Sequence, residues 1–269
     1  MRAHEPVWYE DGEYMKVLSK DIYANSGFVY KFTKGVESDP FHIYIDKPAM
    51  HKALGRVRGK KVLCVGSGNG DECAYIKSVG AVSVTGIDLS KEMVKQARSR
   101  HPGINFYVMS ADNMKFPPKS FDILYSDLVL HYIDDLGKVF RDAFRVLKPG
   151  GRFIFSTTHP IYDMLERRHS NRGKHAEGLF GYIRDDKRYR IIGDYFTRRV
   201  IGGKWFNKYD VRFYYKPISG IIMPALRAGF LLNDIIEPKA LASLKKVNPG
   251  RYKKLSRVPQ ALILNLQRP

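Results

Sequence analysis

Hydrophobic residues in this 269-residue chain fall into short runs, separated by segments in which apolar residues recur every three or four positions. Runs such as 62–65, 82–87 and 104–108 are typical of strands buried on both faces of a sheet. The intervening segments at 71–79 and 91–100 have the spacing of amphipathic helices. This alternation predicts a parallel sheet with right-handed helical crossovers.

The same pattern continues to the end of the chain, with one long interruption. The remaining strands are predicted at 121–125, 152–157, 230–236 and 261–266, and the remaining helices at about 134–147 and 218–228. The sequence Lys-Pro-Gly-Gly at 148–151 is a helix stop signal joined to a turn.

Two segments lie outside this pattern. Residues 1–55 are rich in aromatics and have helical spacing, which predicts a helical lid of two or three short helices over a site in the main domain, 56–269. An insertion at about 158–216 is aromatic and basic, and Gly202-Gly203 within it predicts the turn of a hairpin or small sheet. We expect this insertion to form a cap, because long irregular loops in compact domains are usually functional.

The sequence V-L-C-V-G-S-G-N-G at 62–70 joins the first predicted strand to the first predicted helix of the alternation. Gly66, Gly68 and Gly70 allow a tight turn whose backbone can approach a ligand. Asp88 ends the next strand, where a carboxylate can accept hydrogen bonds from a ribose diol. The unit predicts a nucleotide site, and the alternative is a tight turn without a ligand.

Composition adds few constraints. The hydrophobic content of 44% and the aromatic content of 13% argue against disorder. Cys64 falls in a buried strand and Cys73 in a helix, so neither a disulfide framework nor a zinc site is expected. Without an eighteen-residue apolar run or a signal-peptide core, the sequence predicts a cytoplasmic protein with no membrane partner.

The net charge of +19 is unusual and has three interpretations: a nucleic-acid partner, an acidic substrate or a generally basic surface. Residues 160–217 hold 14 Lys and Arg against 7 Asp and Glu, and residues 239–257 hold seven basic residues and no acidic one. The excess is therefore spread along the chain, which favours a basic surface and leaves a nucleic-acid partner as the lesser possibility.

Four blocks of the sequence resemble the class I S-adenosylmethionine-dependent methyltransferases, in particular the group that acts on small molecules. V-L-C-V-G-S-G-N-G resembles the first motif of that family, with Cys64 where an acidic residue is common. The other blocks, similar to the later motifs, are G-I-D-L-S (86–90), A-D-N-M-K-F-P-P-K-S-F-D-I-L-Y-S (111–126) and V-L-K-P-G-G-R-F (146–153). The resemblance covers about Tyr44 to Gln267 and is loosest in the insertion.

The resemblance implies an α/β fold with a Rossmann-like seven-stranded sheet, its last strand antiparallel, and helices on both faces. It also implies bound S-adenosylmethionine at the carboxyl ends of the strands and no metal. The residues expected to bind this cofactor are Gly66, Ser67, Gly68, Gly70, Asp88, Leu89, Met93, Ala111, Asp112 and Ser126. Among them, Leu89 and Met93 offer an apolar face to adenine, and Asp112 can accept from its amino group.

Two histidines are candidates for a catalytic base. His159 follows the fifth strand of the core and either lines the pocket or removes a proton from the acceptor. His131 follows the fourth strand and is either a catalytic base or a packed, hydrogen-bonded histidine. The sequence after the fourth strand, Ser126 to Val129, lacks the signatures of amine methylation on bases and of covalent attack on pyrimidines.

The predicted activity is therefore methyl transfer to an O or N atom of a small molecule. Methylation of transfer or ribosomal RNA is the alternative, because Arg and Lys alternate with aromatics in 182–216. A dehydrogenase is disfavoured, because its fingerprint is G-x-G-x-x-G whereas the glycines here alternate. A cofactor-binding protein without transfer activity is also disfavoured, since the glycine loop, Asp88 and Asp112 are all present.

Overall fold

The computed structural model describes residues 22–165, 180–185, 188–206 and 208–269. The strands are β1 (Lys61–Val65), β2 (Ser83–Asp88), β3 (Asn105–Val108), β4 (Phe121–Ser126), β5 (Leu147–Thr158), β6 (Phe180–Asp185), β7 (Arg188–Gly193), β8 (Arg199–Trp205), β9 (Tyr209–Tyr215), β10 (Leu231–Ile236) and β11 (Ala261–Gln267). Seven of them form a central sheet in the order β10-β11-β5-β4-β1-β2-β3.

Strands β1 to β5 pair in parallel, and β11 lies antiparallel to both β5 and β10. The predicted fold, a seven-stranded Rossmann-like sheet with its last strand antiparallel, is confirmed. The order places β2 on one side of β1 and β4 on the other, so successive crossovers leave β1 in opposite directions. This is the point at which open α/β sheets bind ligands.

The helices are α1 (Ser26–Ser38), α2 (Lys47–Leu54), α3 (Asp71–Ser78), α4 (Lys91–Arg100), α5 (Leu136–Val146), α6 (Pro160–Leu165), α7 (Ile218–Arg227), α8 (Ser243–Val247) and α9 (Pro249–Leu255). A π-helical turn at His42–Asp46 joins α1 to α2, and a 3-10 turn lies at Leu130–Tyr132. Within the described ranges, no helix combines the length and apolar character needed to cross a membrane.

Alternating side chains of each strand supply the two faces of the sheet. Leu63 and Val65 belong to the cluster covered by α5 and α7, whereas Val62 and Cys64 belong to the cluster covered by α2, α3 and α4. All four are at most 2% exposed, as their continuous apolar run predicts.

Most element bounds agree with the predictions to within two residues, and β5 is the exception. This strand begins at Leu147, five residues before the predicted start at 152, because Leu147 already pairs with Phe121. A register shift between Phe121 and Ile123 accommodates the Pro-Gly-Gly sequence. The stop signal therefore ends α5 correctly but lies inside a strand.

The described part of residues 1–55 is helical, and the aromatics Trp8, Tyr9 and Tyr14 lie outside the described residues. Asn25 caps α1, since its side-chain oxygen accepts from the Phe28 amide at 3.0 Å. Phe28 is fully buried in a cluster with Met93 of α4 and Val211 of β9. Helix α1 therefore packs between the main sheet domain and the insertion.

The described insertion contains two antiparallel hairpins, β6–β7 and β8–β9. The predicted turn at Gly202-Gly203 is wrong: both glycines pair within β8, opposite Arg212 and Val211. The chain reverses instead between Trp205 and Tyr209, beyond the paired part of the hairpin. Glycine signals a possible turn, but the cross-strand pairing of the whole segment decides where the turn lies.

Candidate active site

A cavity of about 440 Å³ opens at the carboxyl ends of β1, β2 and β4. Its walls come from the glycine loop, from the residues that follow β2, β3 and β4, and from α1 and the π-helical turn. Tyr214 of β9 also lines it, so the β8–β9 hairpin lies on the same side of the sheet as the glycine loop.

The glycine loop is fixed by its backbone. The amides of Gly66 and Ser67 both donate to the Ile87 carbonyl at 2.8 Å, which ties the loop to β2. Gly66 has φ +72°, and a Cβ there would lie 2.3 Å from the side chain of Val129. Only glycine fits this position, because both the conformation and the space exclude a side chain.

Asp88 connects the loop to the next helix. Its Oδ2 accepts from the Gly68 amide at 2.9 Å, and its Oδ1 accepts from the Ser90 amide at 2.8 Å. Burial raises the pKa of this carboxyl above its usual value, although both hydrogen bonds favour the charged form. Each carboxylate oxygen retains a further lone pair, so a ribose diol can still be bound.

Most of the predicted cofactor residues line this one cavity: Gly66, Ser67, Gly68, Asp88, Leu89, Met93, Ala111 and Asp112. Gly70 does not. A Cβ at Gly70 would lie 2.7 Å from the Phe106 ring, so this glycine permits close packing behind the loop. Ser126 is fully buried and also lies outside the lining. Since strand residues alternate, Tyr125 and Asp127 reach the cavity in its place.

The sequence analysis missed a group of carboxylates at the end of the cavity beside Cys64. Glu72 of α3 and Asp127 after β4 line the cavity, and Asp46 of the π-helical turn is completely buried behind them. Ser156 donates to Asp127 Oδ1 at 2.6 Å. The positions of Glu72 and Asp127 could have been recognised from the motifs, but nothing local in the sequence indicates Asp46.

Two of these carboxyls, Asp46 and Asp127, have raised pKa values. Burial raises the pKa of Asp46 to about 6, and burial and the neighbouring Asp46 raise the pKa of Asp127 well above its usual range. Two buried carboxyls in contact cannot both ionise readily, so one of them stays protonated near neutral pH.

Glu72 behaves differently, because it has donors on several sides. Burial alone would raise its pKa, but hydrogen bonds from His51 and Tyr125 and the charge of Lys47 hold that pKa below its usual value. The Oε2 atom lies 2.8 Å from His51 Nε2 and accepts from the Tyr125 hydroxyl at 3.1 Å. Glu72 is therefore the carboxylate that stays charged at this end of the cavity.

The opposite wall is apolar and aromatic: Tyr23, Phe32, Leu128, Val129, Tyr132, Ile133 and Tyr214. The Tyr23 hydroxyl lies 3.1 Å from that of Tyr132. Burial raises the pKa of Tyr132 to about 12 and raises that of Tyr23 well above the usual value. Both phenols therefore act as hydrogen-bond donors and not as bases.

His159 lies outside the cavity lining and is completely buried. Its Nδ1 accepts from the Ile161 amide at 3.1 Å, so the ring hydrogen is on Nε2, which donates to Glu237 at 2.9 Å. Both nitrogens are thus occupied, and burial lowers the pKa of the ring. The geometry gives the expected catalytic role no support, because the ring caps the start of α6.

His131 also lies away from the main cavity. It lines a separate space of about 10 Å³, enough for one water molecule, together with Lys216 and Tyr214. Burial, with the charge of Lys216, lowers its pKa to about 3, so the ring is neutral. The ring is packed, but its Nδ1 has no hydrogen-bond partner within the described residues. Among the described residues, no group of three or more possible ligands could hold a metal ion.

The chain is similar to known proteins over the part that contains the glycine loop and strands β1 to β5, and in some cases over most of its length. Residues 63–155 match the methyltransferase domain family. A protein of Haemophilus influenzae is 26% identical over 92% of this chain and 96% of its own length. The fatty-acid O-methyltransferase of Mycolicibacterium smegmatis is 30% identical over 54% of this chain, and the demethylmenaquinone methyltransferase of Chlorobaculum parvum 37% identical over 38%. The matches span 56% and 44% of those two enzymes, about half of their length.

Solved structures extend the likeness to most of the chain. An S-adenosylmethionine-dependent methyltransferase from Mesorhizobium loti is 28% identical, with a TM-score of 0.67 over 87% of this chain and all of its own. Another from Listeria monocytogenes is 25% identical, with a TM-score of 0.68 over 83% of this chain and 96% of its own. The glycine loop, Asp88 and the seven-stranded sheet agree with this likeness: residues 63–155 form a methyltransferase domain, and the chain has the fold of the S-adenosylmethionine-dependent methyltransferases.

Proposed function

We propose that this enzyme methylates an O or N atom of a small molecule with an apolar body. The observation that carries the proposal is the composition of the 440 Å³ cavity, with the glycine loop and Asp88 on one side and an apolar, aromatic wall on the other. Two relatives are named for a fatty acid and for demethylmenaquinone. Both are molecules with long apolar parts, which such a wall would suit.

The adenosine end of the cavity would be held by the predicted residues. Asp88 would accept from the ribose hydroxyls, and Leu89 and Met93 would pack against the adenine. Asp112 is exposed and accepts a hydrogen bond from Ser110, so its remaining lone pairs are available to the adenine amino group. S-adenosylmethionine supplies an electrophilic methyl group on a positively charged sulfur.

The methionine end would be held by the carboxylates that the sequence analysis missed. Cys64 stands where an acidic residue is common, and its pKa is raised by a hydrogen bond with Cys73 and by burial, so it stays neutral. Glu72 is charged, lines the cavity and would accept from the α-ammonium group. Lys47 also lines the cavity, 3.5 Å from Glu72, and would bind the carboxylate of the methionine.

The acceptor would lie between the aromatic wall and the glycine loop, under the N-terminal lid (1–55) and the cap (158–216). Exclusion of water and alignment of the acceptor can supply much of the rate of such a transfer. Where the acceptor carries a proton, Asp127 is the carboxyl with a raised pKa that lines the cavity, and in its ionised form it would accept that proton. Tyr132, whose hydroxyl accepts from that of Tyr23, would donate a hydrogen bond to the acceptor.

The test is incorporation of a labelled methyl group from S-adenosylmethionine into fatty acids, quinols and transfer RNA, supplied separately. We expect label in an organic extract of the small molecules, and reduced label with Asp127→Asn. Label in RNA alone would overturn the small-molecule proposal and favour RNA methylation. If the cofactor binds normally but no acceptor is labelled, the acceptors tested are not substrates. A wider panel of apolar alcohols, acids and amines would then be assayed, and no label in that panel either would contradict the proposal.

A further inference from the structure

The most basic part of the chain forms a surface next to the cavity. Residues 239–257, here called the basic platform, contain seven Lys and Arg and no acidic residue. They form α8 and α9, and the buried Leu244 and Leu255 of these helices cluster with Ile45 of the π-helical turn. The platform is therefore attached to the turn that carries His42 and Asp46.

The charges of the platform face outward. Because Leu244 and Leu255 point toward the protein, residues on the opposite sides of these short helices point away from it. Lys245, Lys246 and Lys253 are exposed, as is Arg257 just after α9. Arg251 pairs with Asp39 at 2.6 Å, whereas these four basic residues pair with no described carboxylate.

Apolar residues are exposed within the same surface. Val247, at the end of α8, is 64% exposed, and Leu241, just before α8, is 45% exposed. Exposed aliphatic side chains among lysines are typical of segments that lie on a membrane, where the charges meet anionic headgroups and the apolar groups enter the interface. Contacts with the phosphate backbone of a nucleic acid, in contrast, require only the basic side chains and no exposed apolar residues.

The platform lacks the features by which proteins hold RNA bases. Its single aromatic residue, Tyr252, is half-buried against the cluster of Ile45, Leu244 and Leu255. Base stacking requires an exposed ring, and it supplies much of the affinity for single strands. These features favour a lipid surface over RNA as the partner.

We propose that the basic platform, residues 239–257, docks the enzyme on an anionic lipid surface. The docking is peripheral and uses the exposed Lys and Arg together with Val247 and Leu241. It places the π-helical turn, and with it one wall of the cavity, close to the lipid. Docking itself does not depend on methyl transfer, although its use in collecting an apolar acceptor rests on the proposed function.

Vesicle binding tests this surface directly. The protein is sedimented with vesicles of phosphatidylcholine alone and of phosphatidylcholine with phosphatidylglycerol, at physiological ionic strength. The platform variant carries Lys245→Gln, Lys246→Gln, Lys253→Gln and Arg257→Gln. The matched control carries Lys91→Gln, Lys95→Gln, Lys138→Gln and Arg227→Gln, which lower the net charge equally at exposed positions elsewhere.

We expect the wild type and the control to bind the anionic vesicles, and the platform variant to bind about a hundredfold to a thousandfold more weakly, given the contribution of each of the four basic residues near such a surface. Val247→Ser should weaken binding by about threefold or more, because the apolar contact is lost. Wild-type protein that does not bind anionic vesicles, or equal losses in both charge variants, would overturn the proposal. Platform-dependent binding of transfer RNA without vesicle binding would overturn it in favour of RNA.

Discussion

At the scale of single residues, similar side chains have different functions because their surroundings differ. Asp88 is half-buried and Asp46 is completely buried, and Asp88 accepts hydrogen bonds from two backbone amides while Asp46 lies beside the carboxyl of Asp127. His159 and Glu72 show the same dependence on neighbours. Glu237, the acceptor for His159 Nε2, lies 78 positions away, and the partners of Glu72 lie 21 and 53 positions away, so local sequence does not reveal these contacts.

The first prediction concerns His159. Because its Nδ1 accepts from the start of α6, His159→Ala should lower the free energy of unfolding by about 1–3 kcal/mol while cofactor affinity is retained. Denaturant unfolding and calorimetry check both statements. In His159→Asn the new side chain can still accept from the Ile161 amide, so stability should be partly restored. A fall in turnover of about 10²–10⁴-fold with normal stability would instead identify His159 as a catalytic base.

The second prediction concerns the pH dependence of stability. The folded pKa of Asp46, about 6, exceeds the ordinary value of 3.8, so the folded state binds more protons between these values. The protonated Asp46 carboxyl therefore raises the free energy of unfolding below pH 3.8, and this contribution is lost as the pH rises through about 6. Asp46→Asn removes this dependence, and it should stabilise the protein by on the order of 1–3 kcal/mol above pH 7 and hardly at all near pH 4.

Thermal unfolding of Asp46→Asn as a function of pH checks this, with the exposed Asp234→Asn as control. Asp127 contributes with the same sign, because its pKa is also raised, and His42 with the opposite dependence, because its pKa is lowered. A stability difference that is equal at all pH values would show that Asp46 is not protonated in the folded protein.

The third prediction compares two glycines of the loop. Both Gly66 and Gly68 have positive φ, but a Cβ at Gly66 would lie 2.3 Å from Val129, whereas nothing lies within 4 Å of one at Gly68. Gly66→Ala should therefore displace the loop and weaken cofactor binding far more than Gly68→Ala. Equal effects of the two changes in calorimetric titrations would mean that backbone conformation, and not space, is what matters.

At the scale of elements, the β8–β9 hairpin is held to the main domain by a few buried side chains. Val211 is completely buried in the cluster that contains Phe28 of α1 and Met93 of α4. Since Met93 also lines the cavity, the hairpin and the proposed adenine site share one packed cluster. Removing volume from this cluster should therefore affect both stability and cofactor binding.

The fourth prediction follows from this packing. Val211→Ala should lower the free energy of unfolding by about 1–3 kcal/mol and weaken cofactor binding measurably, because the wall behind Met93 loses support. Val200→Ala, in the other strand of the same hairpin, is the control, since Val200 is 44% exposed. Equal changes for the two variants, measured by denaturant unfolding, would show that the hairpin does not pack as described.

At the scale of the whole molecule, the sequence was sufficient to predict the central sheet but predicted only some of the residues that line the site. The alternation of apolar runs and helical spacing predicts a parallel sheet with right-handed crossovers, and the family resemblance adds the antiparallel last strand. Asp88 and the glycine loop were predictable, since one unit of strand, turn and helix contains them. Lys47 was not, because it reaches the cavity only through the packing of α2 against the sheet. Asp46 was not either, because the π-helical turn buries it behind the carboxylates of the cavity.

The central claim is that the cavity at the carboxyl ends of β1, β2 and β4 is the S-adenosylmethionine site, held through Asp88. Calorimetric titration of the wild type and of Asp88→Asn with S-adenosylmethionine tests it most directly, with unfolding curves to show that both are folded. We predict binding by the wild type and an affinity about tenfold to a hundredfold weaker in the variant, because a charged acceptor for the ribose is lost. Unchanged affinity in Asp88→Asn, or a wild type that binds a nicotinamide dinucleotide and not S-adenosylmethionine, would contradict the account.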